Sequence, residues 1–388
     1  MCRHFPDVQL THTSINVAKM SNLFKPVRVG SMALGHRVAM APLTRYRNDD
    51  DRVPLPMVKE YYEQRATVPG TLLITEATII SKSAVSRNNV PGLFTEAQIA
   101  GWKKITDAVH KKGSFIYCQL WHLGRAGYPE ILETVGSKLR SSSAVPISEE
   151  SALPQEMTEE EIWEAIGDYA KAAKNAMAAG FDGVELHGAN GYLIDQFIQD
   201  VCNKRTDAWG GSIEKRARFA LEVTKAVVNA IGGDKTAIRL SPFSDFQSMG
   251  MKDPYPQFQY LVEQLKPLNL AYLHLVEPRI SGASDGNNGT GDSLEFLIKL
   301  WNNQSPIVLA GGFLPESAFE AVDKTWKDFD IVIAFGRYFI SNPDIVFRLK
   351  EGIEFRKYDR STFYTPQKAE GYIDIPFSDQ YRAIKSKA

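Results

Sequence analysis

The chain has 388 residues, of which 44% are hydrophobic and 23% charged, with a formal net charge of −1 at pH 7. This is the balance of an ordinary globular enzyme. It holds no Lys/Arg excess or basic stripe that would point to nucleic acid, and no run near the roughly 18 apolar residues of a membrane span.

Three cysteines (Cys2, Cys118, Cys202) are odd in number and far apart, which fits a reducing, cytoplasmic setting. They offer no disulfide framework and no C-x-x-C pair for a metal. Residues 1–22 lack an apolar signal stretch, and Arg3 and Lys19 are too few basic residues for a transit peptide. They read as a disordered extension ahead of one domain over 23–388.

Phe24–Gly30 and Met32–His36 read as a hairpin able to plug the bottom of a barrel. A rhythm of strand and helix then begins. The first strand is Arg37–Pro42, with a helix around Met57–Ala66. The second is Thr71–Glu76, and its helix, Glu96–His110, opens on the capping box Thr95-x-x-Gln98. The third is Ser114–Trp121. A Gly-, Pro- and Ser-rich insertion over 123–155 follows, then a second capping box, Thr158-x-x-Glu161, and another helix. The fourth strand carries Val184 and Leu186, and Ser212 caps the helix after it. Thr236–Ser241, Ala271–Val276, Pro306–Ala310 and Asp330–Phe335 complete the set. A loop over 279–292 follows the sixth strand, and helices start near Glu316 and Pro343. Eight strands alternating evenly with helices predict a closed α/β (β/α)₈ TIM barrel with long loops after strands three and six.

Function in such barrels sits where strands end. There the chain carries Pro42, Leu43 and Thr44, then Glu76 and Ala77, then Gln119 and Trp121. His187, Asn190 and Tyr192 follow strand four, and Arg239 ends strand five. A histidine, an amide and a phenol within six residues can hold a carbonyl and protonate a neighbouring carbon. Taken alone, the same residues could equally cap a strand and pack. Gly311 and Gly312, with Gly336 and Arg337, form the glycine-and-arginine phosphate site of such barrels. No G-x-G-x-x-G opens a helix after a strand, so any hydride carrier has to be bound in the barrel itself.

A series of motifs then carries a resemblance. They are Leu-Phe-Lys-Pro26, Ala-Pro-Leu-Thr-Arg45, Tyr-Tyr-x-Gln-Arg65, Ile-Thr-Glu76, Gln-Leu-Trp121 and Gly-Val-Glu-Leu-His-Gly-Ala-Asn-Gly-Tyr192. Arg205-Thr-Asp-x-x-Gly-Gly-Ser-Ile-Glu214, Arg216-x-Arg-Phe219, Arg-Leu-Ser-Pro242, Phe-Gly-Arg337 and Lys-Tyr-Asp-Arg360 continue it. The chain resembles the Old Yellow Enzyme family of flavin-dependent ene reductases from about Leu23 to Phe377. Arg337–Ser341 and Gly371–Asp374 place the likeness in the fungal and yeast branch, which includes the chanoclavine-aldehyde reductases.

The resemblance implies tightly bound, non-covalent FMN in the barrel mouth and NADPH as hydride donor. Pro42, Leu43, Thr44, Ala77, Gln119, Arg239, Gly311, Gly312, Gly336 and Arg337 would hold the flavin. Arg239 would stabilise negative charge near N1, and the strand-seven and strand-eight turns would take the phosphate. His187 and Asn190 would grip the carbonyl of an enal or enone, with Trp121 and Tyr364 as further substrate contacts. Tyr192 would protonate the α-carbon opposite the hydride, in a ping-pong reduction of the C=C bond. The alternative is isomerisation or dehydrogenation of an enal or enone in secondary metabolism. Ala77, Gly312 and Lys215 depart from the commonest family pattern, and Tyr46 stands where branches differ in substrate scope. A monomer or homodimer acting on small molecules is expected, with the C-terminal tail over the mouth and the 279–292 loop as its lid.

Overall fold

Short apolar runs with no polar face to offer water must be buried on both sides, and each of the eight becomes a central strand. The computed structural model describes residues 20–281, 284–285 and 291–387. Its barrel strands are β1 (Val38–Met40), β2 (Leu72–Ile74), β3 (Phe115–Trp121) and β4 (Gly183–Gly188), then β5 (Thr236–Leu240), β6 (Tyr272–Val276), β7 (Ile307–Ala310) and β8 (Ile331–Phe335). Each pairs in parallel with the next, and β8 pairs with β1, so the ring closes without an edge. The closed α/β barrel expected from the sequence is the fold observed.

The two-residue period of the strands sorts their side chains into two cores. Ala39, Leu72, Ile74, Tyr117, Tyr272 and Val308 fill the barrel interior. Met40, Leu73, Ile116, Val184, Leu186 and Leu309 face outward against the helices. Those helices are α1 (Pro56–Arg65), α2 (Glu96–Lys111), α3 (Glu159–Ala178), α4 (Ile213–Ile231), α5 (Tyr255–Leu265), α6 (Glu295–Trp301), α7 (Pro315–Glu320) and α8 (Ile345–Glu351). Both capping boxes form: Gln98 N–H donates to Thr95 Oγ1 at 3.3 Å, and Glu161 N–H to Thr158 Oγ1 at 3.3 Å. Ser212 accepts from Lys215 N–H and starts α4. After β8 the structure differs from the expectation. A helical turn, Arg337–Ser341, comes first and α8 follows at Ile345, because five residues are too few to write a helical period.

The hairpin Val27–Val29/Met32–Leu34 packs its Val29, Met32 and Leu34 into the barrel interior. Gly30 turns it at φ 54°, and a Cβ there would lie 2.0 Å from Asp234 O, in the turn that leads into β5. The hairpin therefore closes the amino end of the strands, as a plug, and leaves the carboxyl end open. The segment over 122–158 folds into a short helix, Pro129–Thr134, and a strand pair, Arg140–Ser141 with Gln155–Glu156. Residues 1–19 of the expected extension, and 282–283 and 286–290 of the expected lid, lie outside the described residues.

Two buried arginines fix the C-terminal tail. Arg45 donates to Phe363 O at 3.0 Å and Gly371 O at 2.8 Å. Arg47 donates to the carbonyls of Thr362, Phe363, Lys368 and Glu370. Tyr372 stacks on Tyr61 with centroids 4.1 Å apart. Both arginines leave β1, so the loop that builds one side of the mouth also ties down the tail that borders it. Arg47→Ala should strip the carbonyls of Thr362, Lys368 and Glu370 of this donor, leave Phe363 O with Arg45 alone, and cost about 2–4 kcal/mol of stability, read from the urea midpoint. Limited proteolysis of this variant should cut first within 357–374.

Candidate active site

At the carboxyl end of the strands lies a cavity of about 1030 Å³. Its wall takes Pro42, Leu43 and Thr44 from the loop after β1, and Ala77 from the loop after β2. Gln119 and Trp121 come from β3, His187, Asn190 and Tyr192 from β4 and its turn, and Arg239 from β5. Gly311 and Gly312 follow β7, Gly336 and Arg337 follow β8, and Tyr364 comes from the tail. Every residue expected to hold the flavin or the substrate thus lines one cavity, whereas Glu76 does not.

The turn after β4 explains how three functional groups emerge so close together. Asn190 and Gly191 are both left-handed, at φ 58° and 73°. A Cβ on Gly191 would crowd Met249, Gln247 and Phe246 O at 2.9–3.1 Å, so only glycine fits. Ser241 Oγ accepts from Asn190 N–H at 2.8 Å, and the buried Asp195 carboxylate accepts from Gly191 N–H at 2.8 Å. Gln247 Nε2 donates to Asn190 O at 3.0 Å. The turn delivers the Tyr192 ring between Trp121, 4.9 Å away and edge-on, and His187, 4.7 Å away.

Electrostatics set the proton inventory. Burial, then the neighbouring Arg239 and His274, pushes the His187 pKa well below its usual value, so the ring is neutral. Burial pushes the Tyr192 hydroxyl up to about 12, which keeps its proton in place at neutral pH.

Beneath these groups sits a buried carboxylate that sequence reasoning missed. Glu185 accepts from Gln119 Nε2 at 2.8 Å, from Tyr272 OH at 2.9 Å, and from His274 Nδ1 at 2.8 Å. Burial also holds His274 below the ordinary imidazole value. The neutral ring then donates from Nδ1 to Glu185 and accepts from Arg239 Nε at 3.4 Å through Nε2. Burial alone raises the Glu185 carboxyl, but His274, Arg239 and Gln119 outweigh it and hold Glu185 below the usual carboxylate range. The missed signal was the strand period: if His187 faces the mouth, Glu185, two residues back, faces the same interior.

The residues present fit a flavin phosphate ester. Gly311 (φ 137°) and Gly312 (φ 64°) expose backbone where a Cβ on Gly311 would meet Glu277 at 2.6 Å. Arg337 stands at the same end, its guanidinium 5.1 Å from the Tyr358 centroid. Trp121 Nε1, His187 Nδ1 and Asn190 Oδ1 are buried polar atoms on the cavity wall without partners among the described residues. Such orphans call for a ligand. No group of acidic, histidine or cysteine side chains fit for a metal occurs among the described residues, nor a helix long and apolar enough to cross a membrane.

Fold and mouth together are those of a flavin-dependent barrel oxidoreductase. The chain belongs to the NADH:flavin oxidoreductase / NADH oxidase family, which it matches over residues 22–356. It is 56% identical over 371 residues to a chanoclavine-I aldehyde reductase of Penicillium roqueforti, covering 95% of this chain and all of that one. It is 54% identical over 369 residues to an NADP-dependent oxidoreductase of Aspergillus flavus, covering 93% and 97%. Among solved structures, Old Yellow Enzyme from Pichia sp. superposes with a TM-score of 0.87 at 40% identity, covering 93% and 95% of the two chains.

A carboxylate held low in the folded state contributes stability above the ordinary carboxylate pKa of about 4.3, and loses it as pH falls. Glu185→Gln should therefore cost about 3 kcal/mol at neutral pH, since it removes the negative charge that offsets the buried Arg239 cation. Urea titrations should also show a smaller loss of stability on acidification for the variant than for the wild type.

Proposed function

We propose that this protein is an FMN-containing, NADPH-dependent ene reductase acting on α,β-unsaturated aldehydes and ketones. One observation carries the reading: His187, Asn190 and Tyr192 converge on the mouth, with polar atoms of the first two buried and unsatisfied. Bound in the mouth, the flavin supplies the hydride that NADPH has delivered to it.

The chain's own groups do the rest. Thr44 and Gln119 hold the ring edge, and Gly312, Gly336 and Arg337 hold the phosphate. Arg239, buried and fixed by His274, supplies a permanent cation where negative charge accumulates. Neutral His187 donates one N–H to the substrate carbonyl oxygen. The Asn190 amide, turned so that its N–H₂ faces the cavity, donates a second. These bonds draw electron density toward the oxygen and leave the β-carbon electron-poor. Tyr192 then gives its hydroxyl proton to the α-carbon. Its raised pKa suits that role, because the proton stays on the oxygen until the α-carbon becomes basic. The same phenol weighs against isomerisation or dehydrogenation, since quenching the α-carbon ends the reaction as reduction. The relative named an aldehyde reductase supports an enal as substrate, and the NADP-dependent relative supports NADPH as donor.

Anaerobic NADPH should bleach the flavin of the purified protein, and 2-cyclohexenone should restore it. Failure of every activated alkene to reoxidise the flavin would sink the reading. Tyr192→Phe should slow the alkene half-reaction about 10²–10³-fold and leave reduction by NADPH nearly intact, both followed by stopped-flow absorbance. In the wild type the alkene half-reaction should show no loss from ionisation of Tyr192 between about pH 6 and about pH 9.

A further inference from the structure

The mouth holds four arginines and, among the described residues, no aspartate or glutamate. Three of them have evident work. Arg239 is fixed to His274 on the floor. Arg125 spends both terminal nitrogens on the carbonyls of Val145, Pro146, Gln247 and Ser248. Arg337 stands beside the glycine turns.

Arg87 is different. It is half-buried in the loop after β2, and its Nη1 donates to the Tyr46 hydroxyl. Its guanidinium lies 4.5 Å from the Tyr128 centroid and 5.9 Å from that of Tyr46. Its Nε is buried without a hydrogen-bond partner, and no carboxylate pairs with it among the described residues. A guanidinium carries five N–H donors, and here a neutral phenol takes one. Withdrawing such a charge from water without a counter-ion is unfavourable, and two flanking rings compensate only in part. Tyr46 in turn packs against Tyr364 at 5.7 Å, so Arg87 belongs to the aromatic rim through which a small molecule reaches His187 and Asn190.

We propose that Arg87 is an oxyanion-binding site: it takes a carboxylate or phosphate carried by the molecule entering the mouth, at the end remote from the reacting carbonyl. The fork of a guanidinium matches both anions in two parallel hydrogen bonds, which gives specificity as well as attraction. The anion has two available sources, an acidic group on the aldehyde or ketone substrate, or a phosphate of the nicotinamide dinucleotide. The inference rests on the mouth being where these molecules bind, as in the proposed function, but it does not require hydride transfer.

Calorimetric titration of the flavin-loaded protein separates the cases. The probes are 4-oxobutanoate, its methyl ester, and adenosine 2′,5′-bisphosphate, none of which can be reduced at a C=C bond. If the substrate supplies the anion, the wild type binds the acid about tenfold or more tightly than the ester, and Arg87→Gln brings the two together. If the dinucleotide supplies it, Arg87→Gln instead weakens the bisphosphate about tenfold or more, with acid and ester equal in both proteins. A wild type that neither prefers the acid nor binds the bisphosphate overturns the proposal, as does a folded Arg87→Gln protein with all three affinities unchanged. A protein that passes this test yet never reduces an alkene fails only the reductase reading.

Discussion

The Glu185 carboxylate, fully buried inside the barrel, is the constraint on which the mouth depends. It accepts from Gln119 on β3 and from Tyr272 and His274 on β6, and His274 passes the constraint on to Arg239 on β5. A lone charge at that depth is expensive, whereas one with its lone pairs filled by donors becomes a rigid hub. The hub sets the rotamers of Gln119 and Arg239 before any ligand arrives. Burial is what chiefly keeps His187 neutral, and the Arg239 cation that the hub holds beside the imidazole adds to it. Preorganisation of this kind lets fixed dipoles and charges act without first having to move.

Above that hub the barrel divides its labour by level. The amino end is closed by the hairpin and packed with aliphatic side chains, so it can supply stability without any demand for polar precision. The carboxyl end holds the irregular backbone: the left-handed Asn190–Gly191 turn, the Gly311–Gly312 pair and the loop after β1. Each is held by side chains that take no direct part in the proposed chemistry, such as Asp195 for the turn and Arg47 for the tail.

The charge distribution of the mouth suits the occupants proposed for it. A flavin with its phosphate and a dinucleotide donor are both anionic, and a cavity lined by arginines without acids attracts both. Arg87 extends this field to the rim, where its neighbours are aromatic rather than acidic. The neighbouring tyrosines Tyr46, Tyr128 and Tyr364 keep the rim amphipathic.

Local pattern alone determined the barrel: eight apolar runs, helices begun by Thr95, Thr158 and Ser212, and polar or glycine turns at the strand ends. These are short-range properties, fixed by backbone sterics and by the period of strand or helix, so a linear reading recovers them. The site residues at strand ends were legible for the same reason, because topology brings all eight ends to one face. What only the tertiary structure decided was the set of partners. Glu185 meets Tyr272 and His274 across more than eighty positions of chain, and Arg47 meets the carbonyls of 362–370 across more than three hundred. Arg87 could not be told from a solvated surface arginine until the fold had placed it among Tyr46 and Tyr128 and left its Nε unpaired. Hydrogen bonds and ion pairs form between whatever groups the closed barrel brings within reach, and no local period encodes that.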